Sequence, residues 1–197
     1  MIYLQEEGIE AVAFQSMKEG KTYCGDSYFI EATDRYFICV LADGLGSGEH
    51  AFRSSSAVVS IVQNNHEKDV NTLMKECNEV LSQQRGAAVS ILKVDFYNQI
   101  FTYSSVGNIR FFLYSPEGIL TYPIPVKGYL SGRPQSYNTQ QFKYVSNSKF
   151  ILHTDGLNIK SAKSILQTNN IKKTAEIIKQ NNITTNDDTT VIIGHLH

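Results

Sequence analysis

The sequence has no tryptophan, only four prolines and only three cysteines, and it lacks any long hydrophobic run. Cys24, Cys39 and Cys77 show no Cys-x-x-Cys spacing and cannot all pair, which is typical of buried thiols in a reducing cytoplasm. The longest purely apolar run is the seven residues from Tyr36 to Ala42, whereas a membrane-spanning helix needs about 20. The acidic N-terminal segment also lacks the features of an export signal. These absences predict a cytoplasmic protein that does not cross a membrane.

Neither sign of charge dominates the sequence. Its 18 lysine and arginine residues nearly balance its 19 aspartate and glutamate residues, which gives a net charge of −1. Because there is no basic excess to contact a phosphate backbone, nucleic-acid binding is disfavoured. Hydrophobic residues make up 42% of the 197, which is enough to build a core, and this length predicts a single domain over residues 1–197.

The order of predicted elements indicates the fold class. Strands come first, two helices follow, and many closely spaced strands then precede a helix and a last strand. The predicted strands are 9–14, 27–33, 36–43, 87–96, 99–108, 109–115, 141–145, 150–154 and 189–196, with one short strand in 115–134, and the predicted helices are 49–64, 70–84 and 171–179. This order favours an α+β protein with antiparallel sheets and helices on the outer faces, rather than alternating βαβ units.

Several local features sharpen this prediction. Asp34 and Arg35 predict a hairpin whose second strand is apolar on both faces and therefore central. Asp69 is expected to cap the helix over 70–84 and Gly86 to end it. Asn108, in the sequence SVGN, is expected to serve a tight hairpin turn. The aromatic residues that follow strand alternation are expected in the core: Phe96, Tyr97, Phe101, Tyr103, Phe111, Phe112 and Tyr114.

Four acidic positions lie at the ends of predicted strands. Asp43 and Asp155 each leave a buried strand directly into Asp-Gly-Leu, and a glycine there allows a sharp turn. Asp26 precedes one strand, and Asp187 precedes the last. Asp before Gly is also common in ordinary turns, but turn chemistry gives no reason for two strands to end in the same way. The repeated unit therefore favours a shared site.

Carboxylates gathered in one place repel each other by about 4 kcal/mol per pair at 4 Å and an effective dielectric near 20. A fold that gathers them normally does so around a cation. Oxygen ligands without cysteine or paired histidine suit a hard ion such as Mg²⁺ or Mn²⁺. Two such ions can share one carboxylate, acidify a water and hold a phosphoryl group.

Other polar motifs have simpler interpretations. The sequence GLGSGE from Gly44 to Glu49 fits neither a dinucleotide-binding loop nor a P-loop, although Ser47 and Gly48 could offer backbone N–H groups to a phosphate. His153 is expected to be a hydrogen-bonded core residue, because no partner histidine lies at ligand spacing.

Six short motifs occur in the order found in one enzyme family: GDS, ADGLGSG, RGAAVSI, SVGN, HTDGL and DDTTVI. In these motifs the chain resembles the metal-dependent PPM (type 2C) protein serine/threonine phosphatases. It is most similar to their small SpoIIE-like branch and, in its compact length and KGYLSGRPQ segment, to the phosphatases that act on the stressosome. The resemblance implies a four-layer αββα sandwich of two mostly antiparallel sheets flanked by helices.

The resemblance also implies a site with two divalent cations, Mn²⁺ or Mg²⁺. In it Asp43 would bridge both metals, the Gly44 carbonyl would bind the first, and Asp155 and Asp187 would complete the second. Asp26 would hold a metal-bound water. The implied reaction is direct attack of a metal-activated water on phosphoserine or phosphothreonine, without a phospho-enzyme. Asp43 and Asp26 are thus the expected catalytic residues.

Two positions depart from the family pattern. Many members have a histidine where this chain has Leu45, and many have an upstream arginine that grips phosphate, where only Lys18 and Lys21 lie nearby. Lys21 is therefore the candidate phosphate anchor, against the alternative of a solvated loop lysine. Asp188 is expected to support its turn rather than to bind metal.

The partners implied by the resemblance are phosphorylated stressosome proteins with STAS domains, of the RsbR and RsbS type, and the implied role is negative feedback on the general stress response. Two alternatives remain at this point. One is a pseudophosphatase or phosphoprotein-binding module without turnover, and the other is hydrolysis of a small phosphate ester. Retention of all four acidic positions favours catalysis.

Overall fold

Two antiparallel sheets stack face to face in the computed structural model, which describes residues 1–181 and 186–197. The strands are β1 (Ile2–Glu6), β2 (Ile9–Ser16), β3 (Asp26–Ala32), β4 (Tyr36–Gly44), β5 (Ala87–Asp95), β6 (Ile100–Val106), β7 (Arg110–Tyr114), β8 (Leu120–Thr121), β9 (Gln140–Lys143), β10 (Lys149–His153) and β11 (Thr189–Leu196). The first sheet has the order β1-β2-β11-β10-β7-β8, and the second has the order β3-β4-β5-β6-β9. Every ladder between these strands is antiparallel.

Large aromatic side chains fill the space between the sheets. Phe37 of the second sheet and Phe150 of the first have ring centroids 5.8 Å apart, and Phe101 and Phe111 pair across the same space at 5.5 Å. All four rings are fully buried. Burial of a phenylalanine side chain contributes about 1.5 to 3 kcal/mol, so this layer is a main source of the stability that joins the sheets.

Within residues 1–181 and 186–197, four helices cover the outer faces. The helices are α1 (Glu49–Asn64), α2 (Val70–Val80), α3 (Ala162–Leu166) and α4 (Ile171–Asn181). The first two pack on the second sheet, and the other two pack on the first. The predicted four-layer αββα sandwich is therefore confirmed. Among the described residues, no helix combines the length and apolar character needed to cross a membrane.

Most of the predicted local structure is confirmed. Asp34 and Arg35 join β3 to β4 as a hairpin, and β4 lies inside its sheet with both faces buried. Asp69 caps α2 by accepting a hydrogen bond from the Thr72 N–H at 3.0 Å. Gly86, however, does not end that helix, which stops at Val80. Gly86 has a φ of +107° because it leads the chain into β5 past the carbonyl of Leu130.

Other predictions were wrong or incomplete. The SVGN segment is not a hairpin, because β6 belongs to the second sheet and β7 to the first, so the chain crosses between sheets there. Tyr97 is 93% exposed, since it lies in the β5–β6 turn rather than in a strand. Cys24 is only half-buried, although none of the three cysteines, all within the described residues, is paired. The short elements β1 and α3 were missed.

The segment between β8 and β9, residues 122–139, wraps the second sheet beside Gly86. Asn78 of α2 fixes it with three hydrogen bonds to its backbone. The Asn78 Oδ1 atom accepts from the N–H groups of Ser131 at 3.1 Å and Gly132 at 3.0 Å, and Nδ2 donates to the carbonyl of Arg133 at 2.8 Å. A buried asparagine is thus the partner of the backbone at residues 131–133, whereas Val126 and Leu130 pair with β6 and β5.

We expect Asn78→Ala to lower the free energy of unfolding by about 2 kcal/mol, because it leaves three backbone groups without their partner. Urea denaturation measures this loss. Lys75→Ala, on the exposed side of the same helix, is the matched control and should leave the midpoint within experimental error. Equal midpoints for the two variants would contradict the role of Asn78.

Candidate functional site

The ends of β3 and β4 bring two of the predicted acidic residues together. Asp26 and Asp43 are directly opposite each other in the antiparallel ladder. The chain then passes so close to α1 that a Cβ on Gly44 would lie 2.0 Å from the carbonyl oxygen of Ala51. Glycine is therefore required at this position, and the close packing holds Asp43 at the C-terminal end of β4.

The other two acidic residues come from the first sheet. Asp155 follows β10, and Asp187 precedes β11, which pairs with β10. A Cβ on Gly156 would lie 2.1 Å from the carbonyl oxygen of Asp188. The turn at Asp155 and Gly156 therefore lies directly against the backbone that carries Asp187 and Asp188. The two Asp-Gly-Leu units thus end strands of different sheets at the same end of the sandwich. We call this end, with Asp26, Asp43, Asp155 and Asp187, the acidic edge.

Asp26 links the two sheets at this edge. Its carboxylate is only 2% exposed, and its Oδ2 atom accepts hydrogen bonds of 2.8 Å from the hydroxyls of both Thr154 and Thr190. Sequence reasoning missed these two threonines as site residues. A signal was present, because each lies within a motif that contains a predicted ligand: HTDGL for Thr154 and DDTTVI for Thr190.

Asp188 supports the backbone of the loop before β3. One of its oxygens accepts the Lys18 N–H at 2.8 Å, and the other accepts the Gly25 N–H at 2.7 Å. Gly25 in turn accepts the Gly44 N–H through its carbonyl at 3.1 Å. Both oxygens of Asp188 are therefore used by backbone donors, which is the behaviour of a structural carboxylate.

The carboxylates at this edge raise each other's proton affinity. Burial raises the pKa of Asp43 to about 8, and the charges of its acidic neighbours add to the rise: Asp26, Asp155, Asp187 and Asp188. Burial likewise raises the pKa of Asp26 to about 7, although the two threonine hydroxyls oppose the rise. Side chains from both sheets therefore share one region of negative potential.

The residues fit a hard divalent cation in donor type and in charge. All the acidic side chains offer oxygen, and a cation would relieve the repulsion that raises the pKa of Asp43. Among the described residues, no three histidine, cysteine, aspartate or glutamate side chains already converge on a common point as a metal-binding group. Asp155 and Asp187 are exposed, and one oxygen of each carboxylate is engaged in a hydrogen bond, which leaves the other oxygen for a cation.

For two polar residues near this edge, one prediction was confirmed and the other missed a contact. His153 was predicted in the core and is there: it is 1% exposed, its Nδ1 atom lies 2.8 Å from the Thr154 carbonyl, and burial lowers its pKa to about 4. Asn108 was predicted to serve its own turn. Instead its Nδ2 atom donates to the Oδ2 atom of Asp155 at 2.6 Å, a contact that sequence reasoning missed.

The loop after Asp43 carries no histidine and lies under an arginine. Leu45 donates its N–H to the Gly86 carbonyl at 2.9 Å. The Arg85 Nη1 atom lies 2.9 Å from where a Cβ on Gly46 would stand, so this guanidinium covers the loop. Lys21 is exposed on the loop between β2 and β3.

Comparison with known proteins agrees with this geometry. Residues 33–196 match the family model described as Stage II sporulation protein E (SpoIIE). The phosphoserine phosphatase RsbX of Bacillus subtilis (strain 168) is 45% identical over the full length of both chains. A crystal structure of RsbX in complex with magnesium superposes with a TM-score of 0.96 and 44% identity, over 100% of this chain and 99% of that one.

More distant structures share the fold. A chain from a study of the bacterial stressosome has a TM-score of 0.87 at 22% identity, over 95% of this chain and 100% of that one. The catalytic domain of the serine/threonine phosphatase PstP, in complex with two manganese ions, has a TM-score of 0.76 at 16% identity, over 96% of this chain and 98% of that one.

The family model matches most of the chain, and RsbX matches its full length. Both matches include acidic residues that come from each of the two sheets. The chain belongs to the SpoIIE family and is a phosphatase domain of the PP2C type.

Proposed function

We propose that residues 1–197 act as one metal-dependent protein phosphatase domain that hydrolyses phosphoserine and phosphothreonine in the cytoplasm. The observation that carries this proposal is the acidic edge. There Asp26 and Asp43 lie opposite each other in a ladder, and the charges of carboxylates from the other sheet raise the pKa of Asp43. The 45% identity to a phosphoserine phosphatase over the full length supports the same reaction.

The proposed cofactors are two divalent cations, Mg²⁺ or Mn²⁺. Asp43 would contact both, the Gly44 carbonyl would bind one, and Asp155 and Asp187 would bind the other. When bound, the cations supply positive charge for the phosphoryl oxygens and acidify a water for attack on phosphorus. The magnesium in the RsbX crystal structure and the two manganese ions in PstP support this choice of ion.

Asp26 is the proposed second catalytic residue. The hydroxyls of Thr154 and Thr190 hold its Oδ2 atom, which leaves Oδ1 to accept a hydrogen bond from a water at the edge of the sheet. Because burial and hydrogen bonding fix the side chain, this acceptor keeps one orientation. Lys21 is the proposed phosphate contact, supported by its exposed place on the loop that leads into β3.

The proposed substrates are phosphorylated stressosome proteins with STAS domains, of the RsbR and RsbS type, so that dephosphorylation would act as negative feedback on the general stress response. The full-length similarity to RsbX and the structural similarity to a stressosome-related chain support this assignment. The exposure of Asp155 and Asp187 supports it further, because a phosphate carried on a protein surface can reach an open edge.

A second candidate function is binding of phosphoproteins without turnover. Leu45 favours it, because this loop lacks the histidine that many PPM phosphatases have at this position. Retention of Asp26, Asp43, Asp155 and Asp187 favours the phosphatase instead, since a binding module has no need of four mutually repelling carboxylates.

Metal dependence separates the two candidates. We expect the chelator-stripped protein to release no phosphate from a phosphoserine protein, and Mn²⁺ or Mg²⁺ to restore the release, because the acidic edge needs positive charge to admit a phosphate. Inorganic phosphate release, measured with and without added metal, checks this. Undiminished turnover after complete stripping would reject the metal-dependent mechanism, and no turnover with metal would favour the binding module.

We expect Asp43→Asn to lower turnover at least about a thousandfold, because removal of a shared ligand costs several kcal/mol of transition-state stabilisation. Asp34→Asn, in the exposed turn at the opposite end of the same strand pair, is the matched control and should keep full turnover. Steady-state kinetics on a phosphoserine protein measure both. Turnover that survives Asp43→Asn would contradict the site.

Substrate class forms a separate prediction. We expect a phosphorylated STAS-domain protein to be hydrolysed with a higher kcat/KM than p-nitrophenyl phosphate, because an open edge gains binding energy from a protein surface but not from a small ester. A higher kcat/KM for p-nitrophenyl phosphate than for the phosphorylated protein would support hydrolysis of a small phosphate ester instead.

A further inference from the structure

One contact joins a neutral side chain to a proposed metal ligand. The Asn108 Nδ2 atom donates a 2.6 Å hydrogen bond to the Oδ2 atom of Asp155. Asp155 lies beyond the last residue of β10, outside the ladder that orients its neighbours, and its side chain is exposed. An exposed carboxylate on a turn samples several rotamers unless a second group holds it, and here Asn108 is in contact with it.

The turn that carries Asn108 is itself firmly placed. Gly107 has a φ of +121° and donates its N–H to the Val126 carbonyl at 2.9 Å. A Cβ on Gly107 would lie 2.3 Å from the Cβ of Ala88, and Ala88 is the ladder partner of Asp43. The turn therefore packs against the strand beside one proposed ligand while its asparagine contacts another.

The chain changes sheets at this position. The segment from β6 to β7 leaves the sheet that carries Asp43 and enters the sheet that carries Asp155. Asn108 lies on the crossing and so spans the two halves of the acidic edge. A side chain at this point can set the separation and orientation of groups that come from different sheets.

The chemistry of an asparagine suits this task. Its amide donates a hydrogen bond without adding charge, whereas a carboxylate would increase the repulsion within the cluster and an ammonium would compete with the cation. With Oδ2 of Asp155 held by the amide, Oδ1 remains available to a metal ion. Carboxylate ligands of metal ions are commonly oriented by such hydrogen bonds.

We propose that Asn108 is a positioning residue that holds the Asp155 carboxylate in the orientation required for metal binding, across the junction of the two sheets. This inference rests on the proposed metal site. It assigns to Asn108 an effect on metal affinity rather than on the reaction itself.

The test is direct measurement of Mn²⁺ binding, from the electron paramagnetic resonance signal of free Mn²⁺ in titrations of the full chain. We expect Asn108→Ala and Asn108→Leu to raise the dissociation constant about 10- to 100-fold. We also expect turnover of both variants to approach the wild-type value at saturating Mn²⁺, because the ligand itself remains. Unchanged Mn²⁺ affinity in the Asn108→Ala variant would overturn the proposal.

The chain offers a matched control. Asn98 makes the same kind of contact, from its Nδ2 atom to the Oδ2 atom of Asp95 at 2.7 Å, in the turn at the opposite end of β5. Asn98→Ala should leave Mn²⁺ affinity unchanged, and an equal loss of affinity in this variant would overturn the proposal. If Asn108→Leu lowers the melting temperature, Asn108→Ala decides, because truncation of an exposed side chain opens no cavity.

Failure of the proposed function gives a different result. If the wild-type chain binds no Mn²⁺, the metal site itself is rejected, and this inference is rejected with it. If the wild-type chain binds Mn²⁺, Asp155→Asn weakens binding and the Asn108 variants do not, the site stands and only the role of Asn108 is rejected.

Discussion

Repulsion among carboxylates at one edge of the sandwich is the constraint on which the proposed site depends. Asp26 and Asp43 are fixed opposite each other by the ladder of β3 and β4, and their pKa values are raised by burial and by acidic neighbours from the other sheet. Such a cluster stores unfavourable energy that a cation would release. The fold therefore keeps a charged edge that packing alone would not favour.

Hydrogen bonds and close backbone contacts hold this edge together. The hydroxyls of Thr154, directly after β10, and Thr190, in β11, tie the Asp26 carboxylate of one sheet to the other sheet. Gly44 and Gly156 let the backbones approach to distances at which a Cβ would meet a carbonyl oxygen. The aromatic layer keeps the sheets stacked, but these polar contacts determine how their edges are aligned.

Hydrogen bonding separates the structural acidic residues from those that keep an oxygen available. Asp188 has both oxygens engaged by backbone N–H groups, and Asp69 and Asp95 use theirs on a helix cap and a turn. Asp155 and Asp187 are exposed, and each has one oxygen engaged, by the Asn108 amide and by the Asp188 N–H respectively. Aspartate thus serves both to support the backbone and, as proposed, to bind metal, and the hydrogen-bond partners of each carboxylate distinguish the two roles.

Local patterns were enough to predict the α+β class, the bounds of α1, the cap at Asp69 and the acidic residues that follow strands, since each depends on neighbours within a few residues. Features that depend on distant partners became visible only in the folded chain. SVGN looks like a hairpin turn in sequence but crosses between sheets, and Asn108 therefore meets Asp155, 47 residues away in the chain. Thr154 and Thr190 likewise gain a role only when β10 and β11 lie beside Asp26, because a hydrogen bond between sheets leaves no periodicity for sequence reasoning to find.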